Sequence, residues 1–428
     1  METTQNKLEY RAILVGSDFG SSNRIYARFE DVMKELEELA QAAEVEVVGI
    51  LTQARESIDV RYYIGKGKVE ELKDFVETME ANLVIFQNEL SGSQLRNLEE
   101  ALGTTVIDRT MLILDIFAKR ASTAEGKLQV ELAQLKYKMP RLIHGSSHLS
   151  RTGAGIGSRG PGEKKLETDK RRIRRKIFEI EQELKAVRQN RDVQRKSRIK
   201  NQIPIVALAG YTNAGKSTLC NRLMREHQDY SADKEVFVKD MLFATLDTAL
   251  RKAKLPNGNE FLLTDTVGFV SELPHDLVNA FHSTLEEVTY ADLILHVVDV
   301  SNEKYDLQIN TTEQVFEKLG ATNIPTVTVF NKIDLASDDF VISKANNKIA
   351  VSAKTGYHIE ELLQKIQDVI SNNIEVDLLI PYDKGSILNV LHNKYNIMDE
   401  SYEEGGTRIK LLIDDIDYEK YKDYLLKY

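Results

Sequence analysis

Ile205-Val206-Ala207-Leu208-Ala209-Gly210-Tyr211-Thr212-Asn213-Ala214-Gly215-Lys216-Ser217-Thr218 is the run on which the fold of this 428-residue chain turns. Five apolar residues end at a glycine, and Leu219 and Leu223 then recur at helical spacing, so a buried strand leads through a tight loop into a helix. That is the setting of a phosphate-binding loop. The glycines let backbone N–H groups turn inward around a phosphate, and the helix N-terminus adds positive potential. Lys216 reaches the terminal phosphates, and Ser217 offers a hydroxyl to Mg²⁺.

Downstream strands end on residues that complete such a site. Asn331-Lys332-Ile333-Asp334 closes the apolar run Thr326 to Asn331, where the Asp334 carboxylate can accept from the N1–H and exocyclic amine of guanine, a pair that adenine lacks. Ser352-Ala353-Lys354 ends the next strand, placed to give a backbone N–H to the guanine O6. Asp265-Thr266-Val267-Gly268 ends another: the aspartate can orient Mg²⁺ through water, and Gly268 can bring its N–H to a γ-phosphate that any side chain would crowd. In Phe243-Ala244-Thr245-Leu246-Asp247, the Thr245 hydroxyl is preferred over Thr248 to complete the Mg²⁺ shell. Lys216, Thr245 and Gly268 are the catalytic candidates.

Around this core the chain divides into four parts. Residues 1–120 alternate short apolar runs with helical periodicity, the pattern of a small, mainly parallel α/β domain, with strands expected at Ala12–Val15, Val45–Leu51, Tyr62–Ile64, Leu83–Phe86 and Thr104–Ile107. In residues 121–200 the period changes: Leu128, Leu132, Leu135 and Met139, then Ile173, Ile177, Ile180, Leu184 and Val187, form two heptad-like seams. Pro140 is expected to end the first helix, and a run rich in Gly and Pro up to Gly162 to precede the second, giving an antiparallel helical hairpin with a glycine-rich loop at its tip. Residues 201–372 resume the βα alternation as a mainly parallel sheet, with Asn257-Gly258 marking one antiparallel edge hairpin. Residues 373–428 read as a small α+β domain of strand, helix, strand and helix, with a turn at Gly405-Gly406. The class is multidomain α/β.

Composition narrows the rest. Ordinary apolar content and a single cysteine, Cys220, exclude a disordered chain and a disulfide-stapled secreted domain, and point to a reducing compartment. No run approaches the ~18 apolar residues of a membrane span, so a soluble cytoplasmic protein is expected; a monomer with no DNA partner is the accompanying expectation. The net charge of −10 hides a basic segment: Arg159 to Lys200 holds 16 Lys or Arg against 7 Asp or Glu. Arg171, Arg172, Arg174 and Arg175 on the stalk, with Arg151 and Arg159 in the tip, are therefore candidates for RNA phosphate contact. Gly65-Lys66-Gly67-Lys68 reads first as a turn, His144 and His148 lack a metal-binding set, and Mg²⁺ is the only metal assigned.

The ordered set G-Y-T-N-A-G-K-S-T, L-F-A-T-L-D and D-T-V-G-F resembles the translation-factor-related class of P-loop GTPases, and closely the ribosome-associated HflX family. Tyr63 to Lys68, the stretch from Val106 to Leu142, and Gly160-Pro161-Gly162-Glu163 are similar to that family's N-terminal and helical regions. The resemblance implies GTP hydrolysis coupled to binding the large ribosomal subunit and its rRNA, and splitting of stalled or idle ribosomes under stress. The residues alone leave open a regulatory or tRNA-modification GTPase, or an RNA-binding module that uses nucleotide as a structural ligand. Phe269 follows Gly268 where Ras-like GTPases carry a water-orienting glutamine, so slow unaided hydrolysis, stimulated by a partner, is expected.

Overall fold

The computed structural model describes residues 10–20, 29–144, 161–200, 203–225, 242–243, 250–266, 268–269, 288–302, 304–336, 347–370, 374–395, 397–413 and 415–426. An all-parallel sheet in the order β2-β1-β3-β4 builds the N-terminal unit from β1 (Arg11–Asp18), β2 (Glu46–Ala54), β3 (Leu83–Phe86) and β4 (Thr105–Asp108). Four helices flank it: α1 (Phe29–Ala42), α2 (Lys66–Thr78), α3 (Gly92–Leu102) and α4 (Arg109–Arg120). Because strand side chains alternate, Ala12 and Leu14 join α1 and α4 in one apolar cluster, while Ile13 and Val15 join α2 and α3 in another. Both faces are covered, which is why these strands read as unbroken apolar runs.

Tyr62 to Ile64, expected as a strand, is a turn. Asp59 Oδ1 accepts from the N–H groups of Arg61 and Tyr62, each at 2.8 Å, and Tyr63 sits at φ +68°, so only an isolated bridge to Asp59 forms. The turn delivers the chain to α2, with Gly65 at its N-cap. The Gly65 N–H donates to Gln53 Oε1 at 2.9 Å, and Lys68 pairs with Glu71 at 2.8 Å.

Helices α5 (Ala124–His144) and α6 (Pro161–Lys200) pack along each other, tied by Lys136–Glu181 at 2.7 Å and Lys176–Glu131 at 3.6 Å. Pro140 does not end the first of them: α5 continues to His144 with the proline inside. Tertiary contacts hold the turn beyond the ring. Arg141 Nη1 donates to the Tyr137 carbonyl at 2.9 Å, its guanidinium lies 3.4 Å over the Tyr137 ring, and Nη2 reaches Asp108 at 3.3 Å. Likewise α6 starts at Pro161 and includes Gly162, since a missing N–H at the first helical position breaks no bond.

The second sheet has the order β10-β9-β8-β5-β7-β6: β5 (Ile205–Gly210), β6 (Leu250–Lys254), β7 (Glu260–Asp265), β8 (Leu293–Asp299), β9 (Thr326–Asn331) and β10 (Lys348–Ala350). All neighbours are parallel except β6 and β7, joined through Gly258 at φ +86° as the Asn-Gly signal requires. Its helices include α7 (Lys216–Arg225), α8 (Tyr305–Leu319) and α9 (Ile359–Ile370). The C-terminal sheet, β11 (Ile374–Ile380), β12 (Ile397–Glu403) and β13 (Gly406–Ile413) in the order β11-β13-β12, carries α10 (Gly385–Lys394) and α11 (Asp415–Tyr421). The single strand expected after α10 is an antiparallel pair, folded back at Gly405-Gly406. Among the described residues no helix is long and apolar enough to cross a membrane.

Asp108 fastens α5 to the N-terminal sheet. Fully buried at the end of β4, its carboxylate accepts from Leu90 N at 3.1 Å, Met111 N at 3.0 Å, the Tyr137 hydroxyl at 2.5 Å and Arg141 Nη2 at 3.3 Å. Burial, and then the neighbouring Asp108 charge, pushes the Tyr137 phenol above its ordinary value, so it remains a donor. Asp108→Ala should destabilise the protein by roughly 3–5 kcal/mol, because Arg141 and Tyr137 are left facing an empty apolar space. Thermal unfolding measures this; a loss below about 1 kcal/mol, the scale of one ordinary hydrogen bond, would show that apolar packing alone seats α5.

Candidate functional site

Three strand ends of the second sheet meet at one place. β5 stops at Gly210, whose φ of +151° and contact with Val297 O, only 2.2 Å from where a Cβ would stand, admit no side chain. The loop turns through Asn213 at φ +60° and Gly215 at φ +88°, and α7 begins at Lys216, with Thr218 in its first turn. The Lys216 ammonium is buried and donates to the carbonyls of Gly210 at 3.1 Å and Tyr211 at 2.8 Å. Burial pushes it down to about 8, against the upward pull of Asp265. One position further, Ser217 Oγ donates to Asp265 Oδ2 at 2.6 Å. Two hard oxygens thus meet at the end of β7 and the start of α7, the atom type that Mg²⁺ prefers.

The Asp265-to-Gly268 segment is zipped to the loop. Thr266 Oγ1 donates to Leu208 O at 2.7 Å, Thr212 N to Phe269 O at 2.7 Å, and Phe269 N to Gly210 O at 3.2 Å. Gly268 therefore lies against Thr212 and the Lys216 ammonium. Phe269 is buried, edge-on to Phe316 with ring centroids 6.3 Å apart, so the position after the glycine is a core residue whose side chain brings no polar atom to the loop. Thr212 Oγ1 also accepts from Phe243 N at 2.8 Å, and the Phe243 ring packs edge-on against Phe117 of α4 at 4.7 Å. Ala244, Thr245, Leu246, Asp247 and Val267 lie outside the described residues.

Asn331 joins the two halves of the site. Its amide Nδ2 donates to Ala214 O at 2.9 Å, and its Oδ1 accepts from Ala353 N at 3.0 Å. Gly215 makes room, since a Cβ there would stand 2.3 Å from that amide. Lys332, at φ +62°, pairs with Asp299 at 2.7 Å, and the Ile333–Leu335 turn leaves Asp334 exposed. Ser352 Oγ accepts from Thr355 N at 3.1 Å, while Lys354 is exposed. The structure thus links the loop from Gly210 to Ser217 to Asp265 and Phe269 on one side and, through Asn331, to Ala353 on the other. Asp299 was not singled out from sequence; a carboxylate closing an otherwise apolar strand is the signal that marks it.

Several neighbours play no polar part. His296 is buried edge-on to Phe316, and burial, reinforced by the Lys216 charge, holds its imidazole down to about 4, hence neutral. The Cys220 thiol is buried and raised above its ordinary value, as an inert apolar filler would be. On α6, Arg171, Arg172, Arg174 and Arg175 are all exposed, Arg171 pairing with Glu167 at 3.1 Å; Arg151 and Arg159 lie outside the described residues.

This fold and site define a P-loop GTPase. Family comparisons match residues 30–118 to "GTP-binding GTPase N-terminal", 120–198 to "GTP-binding GTPase Middle Region" and 205–332 to "50S ribosome-binding GTPase". The chain is 51% identical over 382 residues to GTPase HflX of Caldanaerobacter subterraneus subsp. tengcongensis, covering 89% of this chain and 87% of the relative. It is 42% identical to GTPase HflX of Escherichia coli, covering 88% of each. A crystal structure of a GTP-binding protein from Sulfolobus solfataricus in complex with GDP aligns with a TM-score of 0.44 and 24% identity over 84% of this chain and 98% of that one. The chain belongs to the HflX family of GTPases.

Gly268→Ala tests the close approach at the loop. A Cβ would stand 2.6 Å from the Thr212 Cα, a backbone atom that cannot swing aside, and 3.0 Å from the Lys216 ammonium. The expected loss is about 1–3 kcal/mol, as for other overpacked sites, read as a lowered melting temperature. An unchanged melting temperature would mean that the segment from Asp265 parts from the loop without cost.

Proposed function

We propose that this GTPase acts on the large ribosomal subunit, recognising its rRNA and splitting stalled or idle ribosomes under stress, as a cytoplasmic, partly ribosome-bound monomer. The observation that supports this most is the pairing of the guanine-nucleotide site with a stalk whose four arginines, Arg171, Arg172, Arg174 and Arg175, all face solvent on a 40-residue helix. Clustered guanidinium groups engage phosphates of a polyanion and serve no packing purpose where they stand. The name of the family matched by residues 205–332 points to the same subunit.

In this reading the N–H groups from Gly210 to Thr218 cradle the nucleotide phosphates, and Lys216 neutralises charge developing on the terminal one. Ser217, with Asp265 acting through water and Thr245, would hold Mg²⁺, which would supply charge stabilisation to the nucleotide phosphates. Asp334 reads guanine, and the Ser352-Ala353-Lys354 segment, which Asn331 holds through the Ala353 N–H, would offer a backbone N–H to the guanine O6. Phe269, buried and apolar, orients no water, so the missing ordering falls to the partner.

Phosphate release measured with and without purified large subunits tests the partner: the subunits should accelerate turnover, and tRNA should not. Turnover indifferent to subunits would remove the ribosomal reading. Asp334→Asn should shift preference from GTP to xanthosine triphosphate, with discrimination of ~1–3 kcal/mol, and ribosome-stimulated turnover should follow the new base. Lys216 supplies a further readout. At pH 9, above its lowered value of about 8, the free side chain is largely neutral, and phosphates favour its charged form, so GTP binding should take up a proton. Calorimetry in buffers of different ionisation enthalpy detects that uptake; identical binding enthalpies would show a lysine already charged.

A further inference from the structure

We infer that Glu35, on α1 of the N-terminal unit, is a positioning residue for GTP hydrolysis, acting through Tyr211. This rests on reading Gly210 to Ser217 as the phosphate loop. Tyr211 is held from three directions. Its hydroxyl donates to Glu35 Oε1, its carbonyl accepts from the Lys216 ammonium at 2.8 Å, and its backbone forms the bridge to Phe269. An ammonium has three N–H groups, and two of them are spent on the Gly210 and Tyr211 carbonyls, so where those carbonyls point fixes where the third is aimed. The peptide that carries the Tyr211 carbonyl is held at its other end by the Thr212 N–H, which donates to Phe269 O at 2.7 Å, and the Tyr211 Cα from which it springs is fixed by a side chain anchored in another unit of the chain.

The anchor is rigid for physical reasons. Glu35 is 9% exposed, and its second oxygen, Oε2, accepts from Arg109 Nη2 at 2.9 Å, with Arg109 only 4% exposed. A buried carboxylate needs such compensation, and the charge-assisted pair in turn fixes its orientation. Arg109 is the first residue of α4, and two turns along the same helix Phe117 holds Phe243, whose N–H donates to Thr212 beside Tyr211. One turn before Glu35 on α1, Asp31 pairs with Lys304, a second contact that lines the same cavity as Tyr211, Thr212 and Asn213 but is made to none of them. The interface therefore contains both the proposed positioning contact and an internal control.

Tyr211→Phe removes one hydroxyl and leaves the Glu35–Arg109 pair whole, so it should fold normally while lowering kcat/KM for GTP roughly tenfold, the scale of one hydrogen bond to a charged group. Glu35→Ala should lower it as much or more. Glu35→Gln combined with Arg109→Met, which keeps an acceptor for the Tyr211 hydroxyl without stranding a cation, should restore most of it. Glu35→Ala with Tyr211→Phe should cost no more than Glu35→Ala alone, because both remove the same contact. Asp31→Ala should leave kcat/KM unchanged. The inference is overturned if Tyr211→Phe keeps full activity, if the two losses add, or if Asp31→Ala loses as much, which would make general docking of the units the cause. Lys216→Ala, run beside these, separates the two levels: if it still binds and hydrolyses GTP, the phosphate-loop reading fails and takes this one with it.

Discussion

The side-chain amide of Asn331 donates to the carbonyl of Ala214 and accepts from the N–H of Ala353, so the ends of β5, β9 and β10 cannot shift independently. A phosphate loop and a base pocket built on separate strands are useful only at a fixed separation, and a buried amide with both ends satisfied supplies that spacing at little energetic cost. Gly215 is part of the same constraint, because the amide occupies the volume of its absent Cβ. Gly210, pressed onto the Val297 carbonyl, fixes the other end of the loop. Between these two points the loop has few conformations left, and Lys216 is aimed by carbonyls that the loop itself provides.

What the sequence discloses and what it hides divides along the range of the interactions. β8 (Leu293–Asp299) and β9 (Thr326–Asn331) are legible to the residue because both sheet faces are buried and their apolar runs end abruptly at a polar group. Tyr62 to Ile64 is equally apolar, yet the Asp59 carboxylate captures two N–H groups and makes a turn; nothing in hydropathy distinguishes the outcomes. Pro140 misleads for a related reason. Its local cost is real, but Arg141 offsets it through contacts to Tyr137 and to Asp108, 33 residues away in sequence. At Gly405-Gly406 the turn itself is legible, whereas the division of the flanking residues into two paired strands depends on β11 accepting β13 at its edge.

The site divides in the same way. Residue identities at the ends of the strands follow from motif order, since each chemical task demands a particular functional group at a strand terminus. Their mutual arrangement does not: Ser217 against Asp265 spans 48 positions, and Tyr211 against Glu35 spans 176. A tyrosine in the second loop position and a glutamate on an amphipathic helix are each unremarked on a one-dimensional reading. They gain meaning only when the apolar cluster that includes Leu36, Phe117, Phe243 and Phe316 brings the two sheets onto one core.

Asp108 and Arg109 show how much a single strand-to-helix junction can carry. The aspartate, last in β4, faces α5 and accepts from Tyr137 and Arg141; the arginine, first in α4, faces α1 and donates to Glu35. Each is buried, and each charge is compensated by a different element, so neither relies on its neighbour in sequence. Helix α5, half of the stalk, and helix α1, which grips the phosphate loop, are thus fastened at consecutive residues. Movement of α5 relative to the N-terminal sheet must strain the Asp108 contacts, and the peptide between 108 and 109 is the shortest covalent link from there to the Glu35 contact. A weaker, exposed pair would leave slack at this junction; burial and multiple donors remove it, which makes stalk, N-terminal sheet and phosphate loop mechanically contiguous.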